Sequence, residues 1–265
     1  MDTKDVAILR VIDGLWETYE WVPVGEIEHR VSSKIDVTKK LRNLEKEKLV
    51  LWKPHSFGDE PSVKINERGL DSLAVWDFVK HGVLDDIGHK IGEGKESVIV
   101  LGLKDGEKRA IKFHRYYSAE YRKIKKSLAY TSIKWWRTLK GRLLRPVDFP
   151  RAKAQVEYRA LKKLHGKVSV PEPYGINRHA IVMEFIGDEV PAPLMSKVKN
   201  ESWMRKEVLD NYEMSLKEGI VHGDLSPFNV MVWNKLYLID WAQAVPVDFE
   251  GADALMKRDK EKFNA

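Results

Sequence analysis

The segment HGDLSPFNV, His222–Val230, followed by LID, Leu238–Asp240, sets an aspartate in a turn after an apolar run. An asparagine stands five positions later, and a second aspartate closes another apolar run. One such carboxylate is ordinary surface decoration. The trio at this spacing suits a site that holds a metal and aims a phosphoryl group. Asp224 would accept a hydrogen bond from an attacking hydroxyl or water, and Asn229 and Asp240 would hold Mg²⁺ (or Mn²⁺). Carboxylate and amide-carbonyl oxygens are the hard ligands that Mg²⁺ prefers. His222 reads as a residue packing the turn, with no chemistry of its own. No such site can be built from one carboxylate, so the rest of the chain must supply a phosphate cradle, a cation and a partner for that cation.

Those parts occur upstream in a consistent order. HKIGEGKESVIVLGL carries Gly92, Glu93, Gly94, Lys95, Glu96 and Ser97 in a turn between apolar strands, and KRAIKFH follows across KDGEK, a polar turn containing Asp105-Gly106. Glycines let backbone N–H groups approach phosphates. Lys112, ending AIK, would set a positive charge on the α and β phosphates. Alone, the turn and the lysine are weak signals, since many hairpins hold two glycines and many edge strands hold a lysine. AQVEYRALKKL reads as a helix with Val156, Leu161 and Leu164 on a buried face and Glu157 beside it. Glu157 either holds Lys112 or is a surface residue in a helical ion pair. HAIVMEFIGDEV continues as a strand running into a polar segment. Strand, glycine turn and lysine strand resemble the way protein kinases cover ATP; on that resemblance this segment would be the hinge, adenine would bond to the backbone of Glu184 and Ile186, and Ile99, Ala110 and Met183 would line its pocket, although plain core packing fits those three equally well.

The first eighty residues have a different character. Val6, Leu9, Ile12 and Trp16 mark one amphipathic helix, and Pro23, Ile27 and Val31 mark a second. Asp36 can cap a third, with Val37, Leu41 and Leu44 at helical spacing. LVLWK and PSVKIN form a hairpin, and a helix over 67–80 closes the unit. Three helices and a hairpin make a winged helix-turn-helix. Its third helix either offers Lys39, Lys40, Arg42 and Lys46 to nucleic acid or presents a solvated face while the module docks on protein.

Residues 115–152 hold eleven basic and two acidic side chains, with Tyr116, Tyr117, Tyr121, Tyr130, Trp135 and Trp136 among them. Basic residues interleaved with aromatics suit an RNA-contacting loop; a solvated insertion whose aromatics pack on the neighbouring lobe fits as well. The net charge of +6 fits nucleotide or RNA. The chain has no cysteine, which excludes disulfides and thiolate metal sites. The start resembles no signal peptide, and no apolar run reaches about 18 residues. A cytoplasmic protein that engages no membrane is the expectation.

IGEGKES, AIKFHR, EYRALKKL, VMEFI, HGDLSPFN and LIDWAQ together resemble the Rio family of atypical serine/threonine protein kinases. The N-terminal module, running through NERGLDSLAVWDFVKHGVLDDIGHKIGEGKES, is similar to that of the second Rio subfamily. The likeness spans nearly the whole chain, is most specific over 66–114 and 222–243, and thins between Tyr116 and Ala152. It implies an α+β, bilobal protein-kinase-like fold with an N-terminal winged helix-turn-helix. The expected domains are 1–82, an N-lobe over 83–183 with its basic insertion at 115–152, and a C-lobe over 184–265. It further implies ATP and Mg²⁺ as cofactors, and action on the pre-40S or 30S ribosomal particle and its rRNA; the residues do not fix an oligomeric state, and a monomer is the default expectation. Family members are described as serine autokinases and as ATPases that pass through an aspartyl-phosphate. Asp240 would then be the phosphorylated aspartate, and Ser127 the candidate autophosphorylated serine.

Several positions depart from ordinary kinases. Gly223 and Ser226 stand where those have arginine and lysine around the catalytic aspartate, and Trp241 replaces the usual phenylalanine. No Ala-Pro-Glu segment or long activation loop follows, so the platform for a peptide substrate is missing. Two other functions stay open on the residues alone. HGDLSPFN with LIDWA also resembles aminoglycoside and choline kinases, although the winged helix and the basic insertion speak against a small-molecule phosphotransferase. A nucleic-acid-binding scaffold with an inactive kinase fold would need none of Lys112, Glu157, Asp224, Asn229 and Asp240 together.

Overall fold

The computed structural model describes residues 1–54, 58–116, 148–199 and 201–263. They fall into two compact units, Met1–Lys80 and His81–Ala265.

In the first unit, α1 (Thr3–Gly14) starts from a capping box. The Asp2 carboxylate accepts from Lys4 N and Asp5 N, and Asp5 returns the bond to Asp2 N. Val6, Leu9 and Ile12 are buried, whereas Trp16 lies beyond the helix end. A two-residue strand β1 (Val22–Pro23) leads into α2 (Val24–Glu28), which stops short of Val31. Asp36 caps α3 (Val37–Lys46) by accepting from Lys39 N, and Leu41 and Leu44 point inward. Strands β2 (Val50–Trp52) and β3 (Ser62–Ile65) form the hairpin, and β1 joins the far edge of β3. The next helix, α4 (Glu67–Lys80), closes the unit over a core of Leu9, Ile27, Leu41, Val63 and Leu73. Order and pairing are those of a winged helix-turn-helix.

The second unit opens with an antiparallel sheet: β4 (Asp86–Glu93), β5 (Ser97–Lys104), β6 (Glu107–His114), β7 (Pro173–Asn177) and β8 (Ala180–Glu184), in the order β4-β5-β6-β8-β7. Asp105 and Gly106 both have positive φ, 52° and 81°, the demand of a two-residue turn between twisted strands. Helix α5 (Asp148–Leu164) packs on this sheet and buries Val156, Leu161 and Leu164. The helical lobe contains α6 (Ser202–Lys217), two small antiparallel pairs and α7 (Ala252–Glu261). In these pairs β9 (Ile220–Val221) lies against β12 (Val245–Pro246), and β10 (Val230–Val232) against β11 (Leu236–Leu238). Val230 faces Leu238, and Ile239 N donates to Asn229 O at 3.0 Å. This short hairpin therefore delivers Asn229 and Asp240, eleven residues apart in sequence, to one end of the ladder. One core joins the lobes, with Leu161, Leu164, Ile181, Tyr212, Leu225, Leu238 and Trp241 in contact. Among the described residues no helix is long and apolar enough to cross a membrane.

Candidate active site

Lys112 lies on β6 with Ile99 of β5 and Ile181 of β8 as its strand partners, so its side chain leaves the centre of the sheet. It is 5% exposed, and its Nζ meets two carboxylates: Glu157 Oε1 at 2.9 Å and Asp240 Oδ1 at 2.8 Å. Glu157, on the inner face of α5, is 1% exposed and has His114 Nε2 2.9 Å from its other oxygen. Burial works against the charge on Lys112, but Asp240 and Glu157 outweigh it and raise the ammonium above its ordinary value. Burial likewise raises the Glu157 carboxyl, and Lys112 and His114 bring it below its usual range. Partial desolvation raises Asp240; Lys112 holds it well below the carboxylate range. Burial pushes the His114 imidazole down despite Glu157, so it is neutral near pH 7. The site is thus a buried ammonium between two anions, with the Asp240 side chain still 44% accessible.

Asp240 has φ 63° and ψ 61°, a left-handed conformation that costs a non-glycine residue of order 1 kcal/mol or more. The turn around it is fixed from behind. Trp241 is fully buried, donates from Nε1 to Leu238 O at 3.0 Å and lies 4.4 Å from the His222 ring. His222 Nε2 is 3.0 Å from Ile239 O, and Asp224 N donates to His222 Nδ1 at 3.3 Å. His222 and Trp241 pack against each other behind the turn, the role the sequence suggests for His222.

Asn229 Nδ2 donates to Asp224 O at 2.8 Å and reaches Asp224 Oδ2 at 3.4 Å. With its nitrogen spent on Asp224, the amide presents its oxygen elsewhere, the orientation a cation requires. Among the described residues no group of three or more His, Asp or Glu could hold a metal alone. Two protein oxygens, completed by phosphate and water, is the usual Mg²⁺ arrangement at a nucleotide.

In the glycine turn, Gly94 N donates to Ser97 O at 2.9 Å. Neither Gly92 nor Gly94 has a positive φ. A Cβ there would approach no atom closer than 3.5 Å and 3.9 Å respectively. Neither backbone strain nor packing calls for glycine at these positions, whereas a ligand above the turn would. Glu93 pairs with Lys90 on its own strand, and Lys95 is exposed. Glu96 reaches Lys153 of α5 at 2.6 Å and so ties the turn to that helix. Ser97 opens β5 opposite His114. At the sheet's other side, Ala110 faces Met183 across β6 and β8, and Glu184 N is taken by Glu172 O. Ile186 is 5% exposed and accepts from Ala192 N. Ser127 and the greater part of the basic insertion lie outside the described residues.

Sequence reasoning missed the group that holds the His222–Asn229 loop. Gly223 has φ 80°, and a Cβ there would sit 2.5 Å from Gln243 O, so an arginine at this position is excluded. Asp259 of α7, fully buried, accepts from Gly223 N at 2.8 Å, Leu225 N at 3.1 Å and Tyr212 OH at 3.0 Å. Arg258 donates to Gly223 O, and Lys262 Nζ is 3.4 Å from Asp224 Oδ1. The available signal was that Asp259 shares the buried stripe of its helix with Ala252 and Leu255.

On the third helix of the first unit, two of the four expected cations are engaged. Lys40 pairs with Asp2 and Asp5 at 2.7 and 2.9 Å, and Arg42 stacks 4.1 Å over Trp52. Lys39 and Lys46 are exposed.

A five-stranded sheet with its lysine–glutamate pair, set over a helical lobe with two aspartates and an asparagine, defines the kinase-like phosphotransferase class. Residues 97–265 match the model of the RIO domain, and the chain belongs to that family. It is 32% identical over 256 residues to the RIO-type serine/threonine-protein kinase Rio2 of Methanocaldococcus jannaschii, covering 91% of this chain and 87% of that one. To serine/threonine-protein kinase RIO2 of Saccharomyces cerevisiae it is 25% identical, covering 98% of this chain and 62% of the yeast protein. A crystal structure of the Rio2 kinase–ADP/Mg²⁺–phosphoaspartate complex from Chaetomium thermophilum superposes with a TM-score of 0.80 over 99% of this chain and 79% of that one, at 22% identity.

Proposed function

We propose that this chain is an ATP- and Mg²⁺-dependent serine/threonine kinase or ATPase that acts, in the cytoplasm, on the maturing small ribosomal subunit and its rRNA. The observation that carries the enzymatic part is the Lys112 ammonium held between Glu157 and Asp240. An inactive scaffold gains nothing from a charged lysine held at 5% exposure. The names of the relatives support kinase activity, and the Chaetomium complex supports ADP, Mg²⁺ and a phosphoaspartate in the fold.

In this reading Lys112 orients the α and β phosphates and Glu157 keeps the lysine in place. Asn229 and Asp240 would hold Mg²⁺, which would offset phosphate charge. The turn Gly92, Glu93, Gly94, Lys95, Glu96 and Ser97 covers the phosphates. Ile99, Ala110 and Met183 line the adenine pocket, and Glu184 and Ile186 bond the base through their backbone. Asp224 receives the proton of the attacking hydroxyl or water. In the ATPase branch an Asp240 oxygen bonds to the γ-phosphorus as the bond to the bridging oxygen breaks. ADP leaves with that electron pair, and water later frees Asp240. Ser127 is the candidate acceptor in the autokinase branch.

Single-turnover incubation with γ-labelled ATP tests the reading. Label released by neutral hydroxylamine marks the aspartyl branch; label that resists hydroxylamine and survives acid marks serine. Asp224→Ala is expected to slow transfer by about 10²- to 10⁴-fold while ATP–Mg²⁺ still binds. Absence of both ATP–Mg²⁺ binding and transfer in the unaltered chain would overturn it. Asp240→Asn is the cleaner change at the metal position, because asparagine tolerates the left-handed backbone that alanine does not.

A further inference from the structure

The catalytic loop carries no cation, since Gly223 and Ser226 occupy the two positions where ordinary kinases keep one. Helix α7 brings two from elsewhere. Arg258 donates to Gly223 O, a backbone contact that holds the loop. Lys262, the C-cap residue just after α7, places its Nζ 3.4 Å from Asp224 Oδ1. The two ion pairs near the reacting position differ in kind. Lys112 is clasped between a buried carboxylate and Asp240. Lys262 and Asp224 are 36% and 40% exposed, and no other ion pair to Asp224 occurs among the described residues. An open pair of this kind adds little to stability. Its ammonium is free to move from Asp224 to an anion arriving beside it.

We propose that Lys262 supplies the mobile positive charge of phosphoryl transfer: it orients Asp224 while the site is empty and contacts the oxygens of the transferring phosphoryl group once nucleotide is bound. The proposal rests on the phosphotransfer reading above. During transfer the bridging P–O bond breaks with its electrons going to ADP and the acceptor oxygen bonds to phosphorus; where the acceptor is a hydroxyl its proton passes to Asp224, and where it is the Asp240 carboxylate no proton moves. Lys262 neither gains nor loses a proton; it offsets negative charge on the phosphoryl oxygens, where a positioned cation acts most strongly.

Lys262→Met and Lys262→Arg in the full chain test this. Affinity is measured by calorimetry for ADP–Mg²⁺ alone and for ADP–Mg²⁺ with aluminium fluoride, a mimic of the phosphoryl group in flight, alongside single-turnover label transfer and thermal melting. For Lys262→Met we expect unchanged melting and ADP–Mg²⁺ affinity, with roughly 10- to 100-fold losses in fluoroaluminate affinity and in transfer rate. Lys262→Arg restores both to within about threefold. Equal affinity of the Met variant and the unaltered chain for the fluoroaluminate complex would overturn the proposal. So would a loss shared with ADP alone, or with melting temperature. An unaltered chain that binds the fluoroaluminate complex through Lys262 yet transfers no label would sink the activity reading and leave this inference standing. No binding of either complex would sink both.

Discussion

Lys112 and Glu157 are opposite charges at 5% and 1% exposure, and each leans on the other: Lys112 on Glu157 together with Asp240, Glu157 on Lys112 together with His114. Removing one partner of a buried pair costs about 3–5 kcal/mol, because the survivor keeps its desolvation penalty. Lys112→Met is therefore expected to lower the melting temperature of the His81–Ala265 unit by several degrees. Adding Glu157→Leu should recover much of that loss, the non-additivity being the signature of the pair. A double variant that melts at the sum of the two single losses would refute this account. His114 gives the pair a pH dependence. Its folded-state pKa is depressed by burial below an ordinary 6.5, so as pH falls through that value the unfolded chain takes up a proton the native one resists. Stability is full above about pH 6.5 and declines below it. His114→Gln is expected to flatten the fall in melting temperature between about pH 7 and 5.5, and parallel curves for the two proteins would refute this. The Lys112–Glu157 pair was legible in the sequence through the order glycine turn, lysine strand and helical glutamate. His114 was not, because only the register Ser97↔His114 and the approach of α5 turn it toward Glu157.

At the scale of elements, local signals carried furthest where one side chain or one turn decides the outcome. Asp36 caps α3, Asp105-Gly106 sets the β5–β6 turn, and Glu67–Lys80 forms a helix over its expected span. Strand β7 escaped because Pro173 and Gly175 read as turn residues; as an edge strand it tolerates both. The role of α7 escaped for a different reason. Asp259 serves amides 34 and 36 residues earlier in sequence, and nothing within its own helix reports where those amides point. Its work has a measurable consequence. The carboxylate satisfies two loop N–H groups and the Tyr212 hydroxyl, and burial with Asp259 raises the pKa of that phenol above its ordinary value. Asp259→Asn loses an acceptor oxygen and adds a donor facing two donors, which costs on the order of 1–3 kcal/mol. Hydrogen exchange at Gly223 and Leu225 amides is expected to speed up, with transfer slowed and nucleotide affinity kept. Unaltered exchange at both amides would show that α7 does not clamp the loop. Lys262→Met, by contrast, should leave that exchange unchanged.

Across the whole molecule, charge is divided unevenly. Residues 115–152 carry a formal balance of +9 against +6 for the entire chain, so everything else sums to −3. The Met1–Lys80 unit holds thirteen basic and fifteen acidic side chains, a net of −2. Two of its four expected nucleic-acid cations are spent on Asp2, Asp5 and Trp52. Winged helices are commonly read as nucleic-acid modules, but affinity for a polyanion scales with the cations that displace counterions. On the proposed rRNA-facing role, the salt dependence of binding should therefore follow the insertion and not the winged helix. With a small-subunit rRNA fragment as the probe, replacing half the lysines and arginines of 117–147 by serine is expected to reduce the slope of log K against log salt by several units. Lys39→Glu with Lys46→Glu, the two exposed cations of α3, should change it by about 1 to 2 at most, since each displaced phosphate contact contributes roughly 0.7–0.9. A slope that survives loss of the insertion's charge and collapses with the α3 pair would move the RNA contact to the winged helix. That outcome would also require local placement of charge to outweigh the unit's net negative balance, which makes the two variants a test of whether composition or geometry governs how this molecule meets its partner.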